Sequence, residues 1–381
     1  MTDTSMTDTS ITQHDTVSPS THERLSGLLE RTVHRRGVHH VNLAVQGGDG
    51  RHWSGAAGAA DANGTPLRTD TPFFTASITK RFIITLVLQA HERGELHLDD
   101  PITTHLPASV TDGLHVHDGQ DHTAQIALRH LASHTSGLPD HFEKPLEGSS
   151  LFEDLGAGND RGWTFEDVVR MAKEDHRPHF VPQDLTAARQ KARYSDTGFQ
   201  LLIRTVETVT GRSYAQLLTE RIIEPLELEH TWLPGQSEPL TATPEPSGLF
   251  AKDRPLHLPM MIASCNDLVS TTGDLLRFQQ ALLAGGLFKD PATVELLTER
   301  ANLLRNAFPL RYGLGTMTFK IGRMNAPGTR PMTLVGHSGS TGTWLFHCPE
   351  LDLHLAGTID QANGRTLPFR LMLRALRAWA Q

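Results

Sequence analysis

Residues 77–93 read SITKRFIITLVLQAHER, and this stretch decides how the rest of the chain can be arranged. Its apolar residues fall on several faces of a helix that would end at Gly94, so we expect a buried helix rather than an amphipathic surface helix. These residues are Ile78, Phe82, Ile83, Leu86, Val87 and Ala90. Ser77 and Lys80 open the segment with an i, i+3 spacing, which places them on one helix face about one turn apart.

The sequence before this helix predicts one further helix and two strands. Ser20 and Glu23 have the spacing of a capping box, and an amphipathic pattern follows at Leu25, Leu28, Leu29 and Val33. Residues 38–46 and 51–57 are typical of two strands around a glycine-rich turn at 47–50.

The sequence after the buried helix is mostly helical and then returns to strands. We predict helices at residues 126–135, 164–174, 197–210, 213–224 and 273–284. Polar loops with several glycines are predicted at 111–125 and 143–162. Strands are predicted at 315–321, 332–335, 342–347 and 353–359, and a last helix at 368–379.

Strands from both ends of the chain can pair into one antiparallel sheet. We therefore predict an α+β fold in which N- and C-terminal helices flank the sheet. The sheet region would cover about 21–75 and 262–381, with an inserted, mostly helical region at about 76–261. Residues 1–20 are polar and contain the repeat MTDTS, so we expect a disordered tail before a single domain at 21–381.

Composition excludes several classes of protein. The chain has 381 residues, 38% of them hydrophobic, and a formal net charge of −8, so whole-chain disorder and a basic nucleic-acid or membrane-surface binder are excluded. No run approaches 18 apolar residues, which argues against a spanning helix. The first 20 residues lack the pattern of a secretory signal, so we expect a cytoplasmic protein. The only cysteines, Cys265 and Cys348, are expected to be reduced thiols.

Three short motifs can carry acyl-transfer chemistry. The helix dipole favours the alkoxide form of a serine at a helix N-terminus, as expected for Ser77. Lys80 can accept the proton of this serine if burial lowers the lysine pKa. The segment Tyr194-Ser195-Asp196 precedes a predicted helix, and its phenol can relay a proton. In residues 336–340, GHSGS, the amide after Gly339 can serve as one oxyanion donor, with the amide of Ser77 as the other.

In this order the motifs resemble the serine β-lactamase and penicillin-binding-protein superfamily. The likeness is to its class C β-lactamase-like branch, which includes family VIII-type esterases, D-aminopeptidases and D-alanyl-D-alanine carboxypeptidases. There Tyr194 to Asp196 matches Y-x-N, and His337 to Gly339 matches H-x-G. Flanking segments fit as well, at 96–102, 128–139, 269–275 and 312–315. The resemblance covers roughly residues 35–381 and implies a β-lactamase/transpeptidase-like fold.

The resemblance also implies roles for the matched residues. Ser77, Lys80 and Tyr194 would be catalytic, and the backbone amides of Ser77 and Ser340 would hold the oxyanion. Substrate-binding positions would be Asp196, His337, Ser338 and Gly339. We expect a small-molecule acyl substrate, no cofactor and no metal, and no nucleic-acid or membrane partner. The oligomeric state is not specified by the sequence.

Two departures from the family pattern bear on the substrate. Asp196 stands where the family usually has asparagine, so its carboxylate cannot donate to an acyl carbonyl and can pair with Lys80 instead. His337 stands in place of the lysine of penicillin-binding enzymes and is mostly neutral at pH 7. Both changes favour esters or amides without a carboxylate over penicillins, and the function we expect first is a carboxylesterase-like hydrolase. The alternatives are a D-amino-acid amidase or peptidase, a β-lactamase, a biosynthetic acyltransferase and a catalytically inactive binding protein.

Two other sites were weighed against this interpretation. The cluster His115, His117, Asp118, Asp121 and His122 is similar to a metallo-hydrolase motif but has two additional residues before its second acid, so a solvated loop is favoured. The GHSGS segment is a near match to the G-x-S-x-G signature around a nucleophile. A strand rather than the required helix follows it, which argues against Ser338 as the nucleophile. His134 is expected to be structural, and Trp344 and Phe142 are candidates for an acyl pocket or for the core.

Overall fold

The computed structural model describes residues 16–322, 330–362 and 366–380. Its largest element is an eight-stranded antiparallel sheet with the strand order β2-β1-β14-β13-β12-β11-β10-β9. These strands are β1 His40–Gly47, β2 His52–Gly58, β9 Asn302–Leu303, β10 Arg311–Tyr312, β11 Met317–Ile321, β12 Met332–Ser338, β13 Thr343–Cys348 and β14 Leu353–Thr358. The N-terminal β1 pairs with the C-terminal β14, with Ala44 opposite Ala356. The predicted α+β architecture, with strands from both chain ends in one sheet, is confirmed.

Three small strand pairs lie outside this sheet. They are β3 Phe73–Phe74 with β8 Val269–Ser270, β4 Val116–His117 with β5 Gln120–Asp121, and β6 Leu249–Ala251 with β7 Arg254–Leu256. The β4–β5 hairpin lies within the stretch predicted as a polar loop at 111–125.

The helices are distributed between the sheet and the inserted region. They are α1 Pro19–Val33, α2 Lys80–Glu92, α3 Ala108–Thr111, α4 Leu128–Ala132, α5 Leu151–Ala157, α6 Phe165–Arg170, α7 Asp196–Thr210, α8 Tyr214–Leu218, α9 Pro259–Cys265, α10 Thr272–Leu283 and α11 Leu367–Ala380. Short π-helical turns continue α6 over Met171–Asp175 and α8 over Thr219–Ile223. Short 3₁₀ turns occur at Ala76–Thr79, Ile102–Thr104, Thr123–Gln125, Pro291–Leu297 and Pro349–Leu351.

Helices cover the sheet on both faces. The terminal helices α1 and α11 pack together, and α1 also contacts β1 and β2, whereas α10 packs against β14, β1 and β13. The alternating side chains of the strands explain this, because neighbours along a strand point to opposite faces. On the side of α11, Phe369 contacts Phe346 and Phe319, with ring centroids 5.9 and 5.0 Å apart.

The helix α2 lies at the centre of the inserted region. Every residue from Lys80 to Ala90 is buried, as its apolar pattern predicted. It contacts α7 and α8, and also the end of β12, so it joins the helical region to the sheet. The ring of Phe82 stacks on that of Phe278 from α10 at a centroid distance of 3.6 Å. This buried helix fixes the position of the turn that precedes it.

The element boundaries differ from the prediction at several points. The first helix starts at Pro19 rather than near Ser20, because the side chain of Ser18 accepts a hydrogen bond from the amide of Thr21. Residues 1–15 of the predicted tail lie outside the described residues, and Pro19 and Ser20 belong to α1. The loop predicted at 143–162 contains α5, which begins with a capping box of Ser150 and Glu153.

No helix within the described ranges combines the length and apolar character needed to cross a bilayer.

Candidate active site

Ser77 lies in a tight turn just before α2. The turn Ala76–Thr79 is 3₁₀ rather than α-helical, and the α-helix begins only at Lys80. This corrects the expectation of one α-helix over 77–93. Ala76 has a left-handed backbone with φ of 48°, which is unusual for a residue with a side chain and costs conformational energy. The strained residue turns the chain so that the Ser77 side chain faces a pocket.

Two side chains from different parts of the chain meet at the Ser77 hydroxyl. Lys80 Nζ lies 3.0 Å from Ser77 Oγ, and Tyr194 donates its phenol proton to the same oxygen at 2.8 Å. Tyr194 comes from the segment before α7, and α7 packs directly on α2. The three residues predicted as catalytic therefore converge on one oxygen atom, although Tyr194 is more than a hundred positions away in sequence.

Lys80 is paired with the acid that replaces the family's asparagine. Its ammonium group forms an ion pair with Asp196, the first residue of α7. Burial alone would lower the pKa of Lys80, but the negative charges of Asp196 and Asp267 outweigh it and raise this pKa well above its ordinary value. The sequence-based expectation that burial lowers the lysine pKa is therefore wrong in its net direction. In the resting site Lys80 is charged and Asp196 compensates it.

The tyrosine at the site is held in its neutral form. Burial and the negative charge of Asp196 raise the pKa of Tyr194 well above its ordinary value, although the hydrogen bond with Ser77 opposes the shift. A neutral phenol can donate a proton to a departing group and can take one back later in the cycle.

Two further carboxyl groups in the pocket were missed by the sequence analysis. Burial raises the pKa of Asp267 to about 7, and Lys80 reduces this effect while Asp196 adds to it. Burial and the charge of Asp196 also raise the pKa of Asp140 well above its ordinary value. Neither residue belongs to a recognisable motif, but each lies beside a segment quoted for the resemblance: Asp140 directly follows 128–139, and Asp267 lies two residues before the start of 269–275. Their closeness in sequence to these segments is the signal that could have identified Asp140 and Asp267 as site residues.

His337 lies behind the pocket rather than in its lining. Its side chain is fully buried, Nδ1 lies 2.9 Å from the carbonyl oxygen of Ser338, and Nε2 lies 2.8 Å from the hydroxyl of Tyr312. A carbonyl only accepts, so Nδ1 carries the proton and Nε2 accepts from Tyr312. Burial and the charge of Lys80 hold the pKa of His337 well below its ordinary value. Both ring nitrogens are engaged, so direct contact with a substrate is not supported in this geometry.

The end of β12 lies tightly against the nucleophile turn. Ser338, Gly339 and Ser340 all line the pocket beside Ser77. A Cβ on Gly339 would lie 2.8 Å from the carbonyl oxygen of Thr75 and 2.9 Å from the Cβ of Ala76, so only glycine permits this approach. Ser340, the residue after Gly339, and Ser77, the residue after Ala76, therefore both border the pocket next to this close contact. This is the region where the sequence analysis expected an oxyanion site.

The pocket is lined by both apolar and acidic side chains. Its volume is about 380 Å³. The large apolar side chains are Phe74, Phe142, Phe152, Leu155, Phe199 and Phe369, and the acidic ones are Asp140, Glu143, Asp196 and Asp267. Among the described residues that line it, Lys80 is the only lysine or arginine, and it is already paired. Of the two aromatic residues considered for either an acyl pocket or the core, Phe142 lines the pocket and Trp344 is fully buried in the core.

The residues of the two alternative sites, the cluster at 115–122 and the segment around Ser338, do not converge on one point as Ser77, Lys80 and Tyr194 do. His115 is buried and its Nε2 bonds the carbonyl oxygen of Phe180, while Asp121 accepts from Thr123 and from the amide of Gly113. These contacts fold the loop rather than converge on one point. The hydroxyl of Ser338 bonds the sulfur of Met317, and β13 follows it instead of a helix. His134 is fully buried and accepts from the amide of Ser195, a structural role.

Comparisons with known proteins agree with this arrangement. The sequence profile of the family described as Beta-lactamase matches residues 25–377. The chain is 28% identical over 253 residues to penicillin-binding protein 4 of Amycolatopsis lactamdurans, covering 64% of this chain and 58% of the relative. It is 26% identical over 309 residues to a putative D-alanyl-D-alanine carboxypeptidase of Escherichia coli, covering 72% of this chain and 65% of the relative. The chain thus spans about three fifths of the length of these relatives.

Solved structures match over nearly their whole length. A D-stereospecific amidohydrolase from Streptomyces superimposes with a TM-score of 0.72 and 28% identity, covering 94% of this chain and 98% of that one. EstCE1, described as a hydrolase with promiscuous acyltransferase activity, superimposes with a TM-score of 0.71 over 95% of this chain and 99% of that one. At 21% identity, the second match supports the fold alone. The predicted β-lactamase/transpeptidase-like fold is confirmed.

The raised pKa of Asp267 predicts how stability depends on pH. The unfolded carboxyl ionises near 3.8 and the folded one near 7, so the free energy of unfolding falls as pH rises through this window. Asp267→Asn should therefore raise the melting temperature more at pH 8 than at pH 5, as measured by calorimetry. Asp253→Asn, at a side chain 64% exposed, is the matched control. An equal change at both pH values would contradict the buried acid.

Proposed function

The chain belongs to the beta-lactamase family of serine hydrolases, and from that premise we propose that Ser77 is the nucleophile of a carboxylesterase-like acyl hydrolase. One observation carries the proposal: Ser77 Oγ is hydrogen-bonded by both Lys80 Nζ and the Tyr194 hydroxyl at the wall of an apolar pocket. A hydroxyl held between two proton-transferring groups is the arrangement that nucleophilic catalysis by serine requires.

The proposed reaction proceeds through an acyl-enzyme. Ser77 Oγ attacks the carbonyl carbon while its proton passes to Lys80 in its neutral form. Tyr194 gives its proton to the leaving oxygen or nitrogen as the bond to the acyl carbon breaks, and recovers a proton from Lys80. Water then attacks the acyl-enzyme by the reverse route and releases a carboxylic acid. Since Asp196 stabilises the charged form of Lys80, the reactive neutral form becomes more abundant as pH rises.

Two backbone amides would stabilise the negative charge on the carbonyl oxygen. We assign them to Ser77 and Ser340, which both line the pocket. Removing one such donor typically costs about 10²–10³ in kcat, so this pair would supply a large part of the rate enhancement. The close approach at Gly339 supports this assignment, because it holds the end of β12 against the nucleophile turn.

The charges around the pocket argue for a substrate without a carboxylate near the scissile bond. Lys80 is compensated by Asp196, and buried, neutral His337 supplies no positive charge. A charge-assisted hydrogen bond contributes about 1.5–3 kcal/mol, so its absence costs a penicillin roughly ten- to over a hundredfold in kcat/KM. A neutral ester does not depend on that contact. The apolar wall of Phe142, Phe152 and Leu155 suits an aliphatic or aromatic acyl group.

The acidic residues in the pocket lining favour a second candidate within the same reaction class, an amide of an amino acid with a free ammonium group. Asp267 and Asp140 border the pocket near Lys80, and an ammonium group bound there would stabilise their ionised forms. The name of the similar Streptomyces protein, a D-stereospecific amidohydrolase, is consistent with this candidate.

We expect Ser77→Ala to abolish formation of the acyl-enzyme and Tyr194→Phe to lower kcat by about 10²–10⁴, the range for loss of a positioned acid–base group. A serine-directed fluorophosphonate followed by peptide mapping locates the adduct, and steady-state kinetics on an activated ester measures kcat. Tyr214→Phe is a matched control, because this buried hydroxyl has no hydrogen-bond partner among the described residues. An adduct on Ser338, or near-normal kcat in Tyr194→Phe, would remove the assignment.

A panel of substrates separates the two candidates. Short activated esters should be hydrolysed with a kcat/KM at least tenfold above that for penicillins, for the electrostatic reason given above. If amino-acid amides are also substrates, Asp267→Asn should lower their kcat/KM relative to that for neutral esters, because the effect of Asp267 on the pKa of Lys80 is shared by both substrates. Efficient penicillin hydrolysis by the wild type would contradict the proposed substrate class. Equal losses for amides and esters in Asp267→Asn would eliminate the role of Asp267 in binding an ammonium group.

A further inference from the structure

A second group of chemically competent side chains lies at the turn between β13 and β14. His347 and His354 face each other directly across the two strands, with ring centroids 4.4 Å apart. Asp352, in the turn, places Oδ1 3.3 Å from Nε2 of His347. One potential ligand atom from each of the three residues lies within 4.8 Å of the others. Two imidazoles and a carboxylate thus converge at one point.

The backbone of Asp352 is held in place by the neighbouring β1–β2 turn. The amide of Gly48 donates to the carbonyl oxygen of Asp352 at 2.9 Å. A Cβ at position 48 would lie 1.7 Å from Asp352 Oδ2, so the carboxylate occupies space that only a glycine leaves open. Asp352 itself has a left-handed backbone with φ of 44°. The turn geometry therefore directs this side chain towards the histidines.

His354 contributes an unused ring nitrogen. The residue is only 7% exposed, and its Nδ1 has no hydrogen-bond partner among the residues that the structure describes. An imidazole nitrogen that bonds no other group can accept a metal ion.

We propose that His347, Asp352 and His354 bind one zinc ion. Zinc is bound by histidine nitrogens and carboxylate oxygens at metal–ligand distances of about 2.0–2.2 Å. In tetrahedral geometry, two neighbouring ligand atoms are then about 3.4 Å apart. The distance between His347 and Asp352 already has this value. The remaining separations, up to 4.8 Å, close by side-chain rotation, for which the 70% exposed Asp352 has freedom. Water reaches the exposed side of the cluster and supplies the fourth ligand.

The bound ion joins β13, β14 and the turn between them, and through Asp352 it fixes the adjoining β1–β2 turn at Gly48. The ion lies near the C-terminal end of β13. Thr343, at the other end of this strand, bonds the backbone of Thr75 beside the pocket. His347 lies four residues from Thr343 along the strand, which corresponds to about 13 Å. Zinc at this site therefore stabilises the sheet and does not take part in acyl transfer, so chelators should lower the melting temperature and leave turnover intact.

The test is titration of the full chain, free of any affinity tag and washed with chelator, with zinc chloride in a calorimeter. We expect one site per chain with a dissociation constant on the order of 1 µM. Asp352→Asn and His347→Ala should each weaken binding at least about tenfold, and should remove the increase in melting temperature that zinc gives the wild type. Asp352→Asn changes an exposed side chain and is expected to fold normally.

The matched control is His91→Ala. His91 and His97 also form an imidazole pair, with centroids 4.8 Å apart, but they belong to no three-residue ligand cluster in the described part of the chain. Zinc binding should be unchanged in this variant. Absence of a binding heat in the wild type, or equal affinity in wild type and Asp352→Asn, would overturn the proposal.

Discussion

The buried ion pair between Lys80 and Asp196 is the interaction on which the site depends. Removing two charges from water is costly, and the pair is tolerated because each residue compensates the other within hydrogen-bonding distance. Lys80 begins α2 and Asp196 begins α7, so the pair also joins the two central helices of the inserted region. The same contact places the lysine nitrogen next to Ser77 Oγ. One interaction thus links the first residues of the two helices and holds the base in its charged form.

The rest of the pocket follows from this electrostatic arrangement. Asp140 and Asp267 lie close enough to Asp196 for the negative charges to repel, which contributes to the raised pKa of each. A pocket whose acids Asp140 and Asp267 have raised pKa values accommodates a neutral or cationic substrate more readily than an anionic one. His337 contributes by packing rather than charge, because it connects Tyr312 to the end of β12. The buried charges around Lys80 thus account both for the protonation of the base and for the expected preference for a substrate without a carboxylate.

The sequence predicted the parts of the site that follow from local motifs and failed for those that depend on tertiary contacts. Ser77, Lys80 and Tyr194 were found because their spacing and order are characteristic. The buried character of α2 followed from apolar residues on several faces. The orientation of His337 could not be predicted, since it depends on a hydrogen bond to Tyr312 from another strand. Asp267 has no motif, and its raised pKa results from burial that only the folded chain creates.

The pH dependence of kcat/KM in the wild type and in Asp196→Asn tests the central claim most directly. If Lys80 is the base and Asp196 holds it charged, kcat/KM of the wild type should still be rising at the highest pH at which the enzyme is stable, because the pKa of Lys80 lies well above its ordinary value. Removing the negative charge should lower the pKa of Lys80 and move this rising limb to lower pH by about 1–3 units, the effect typical of one close opposite charge. A rising limb at the same pH in both proteins would contradict the account.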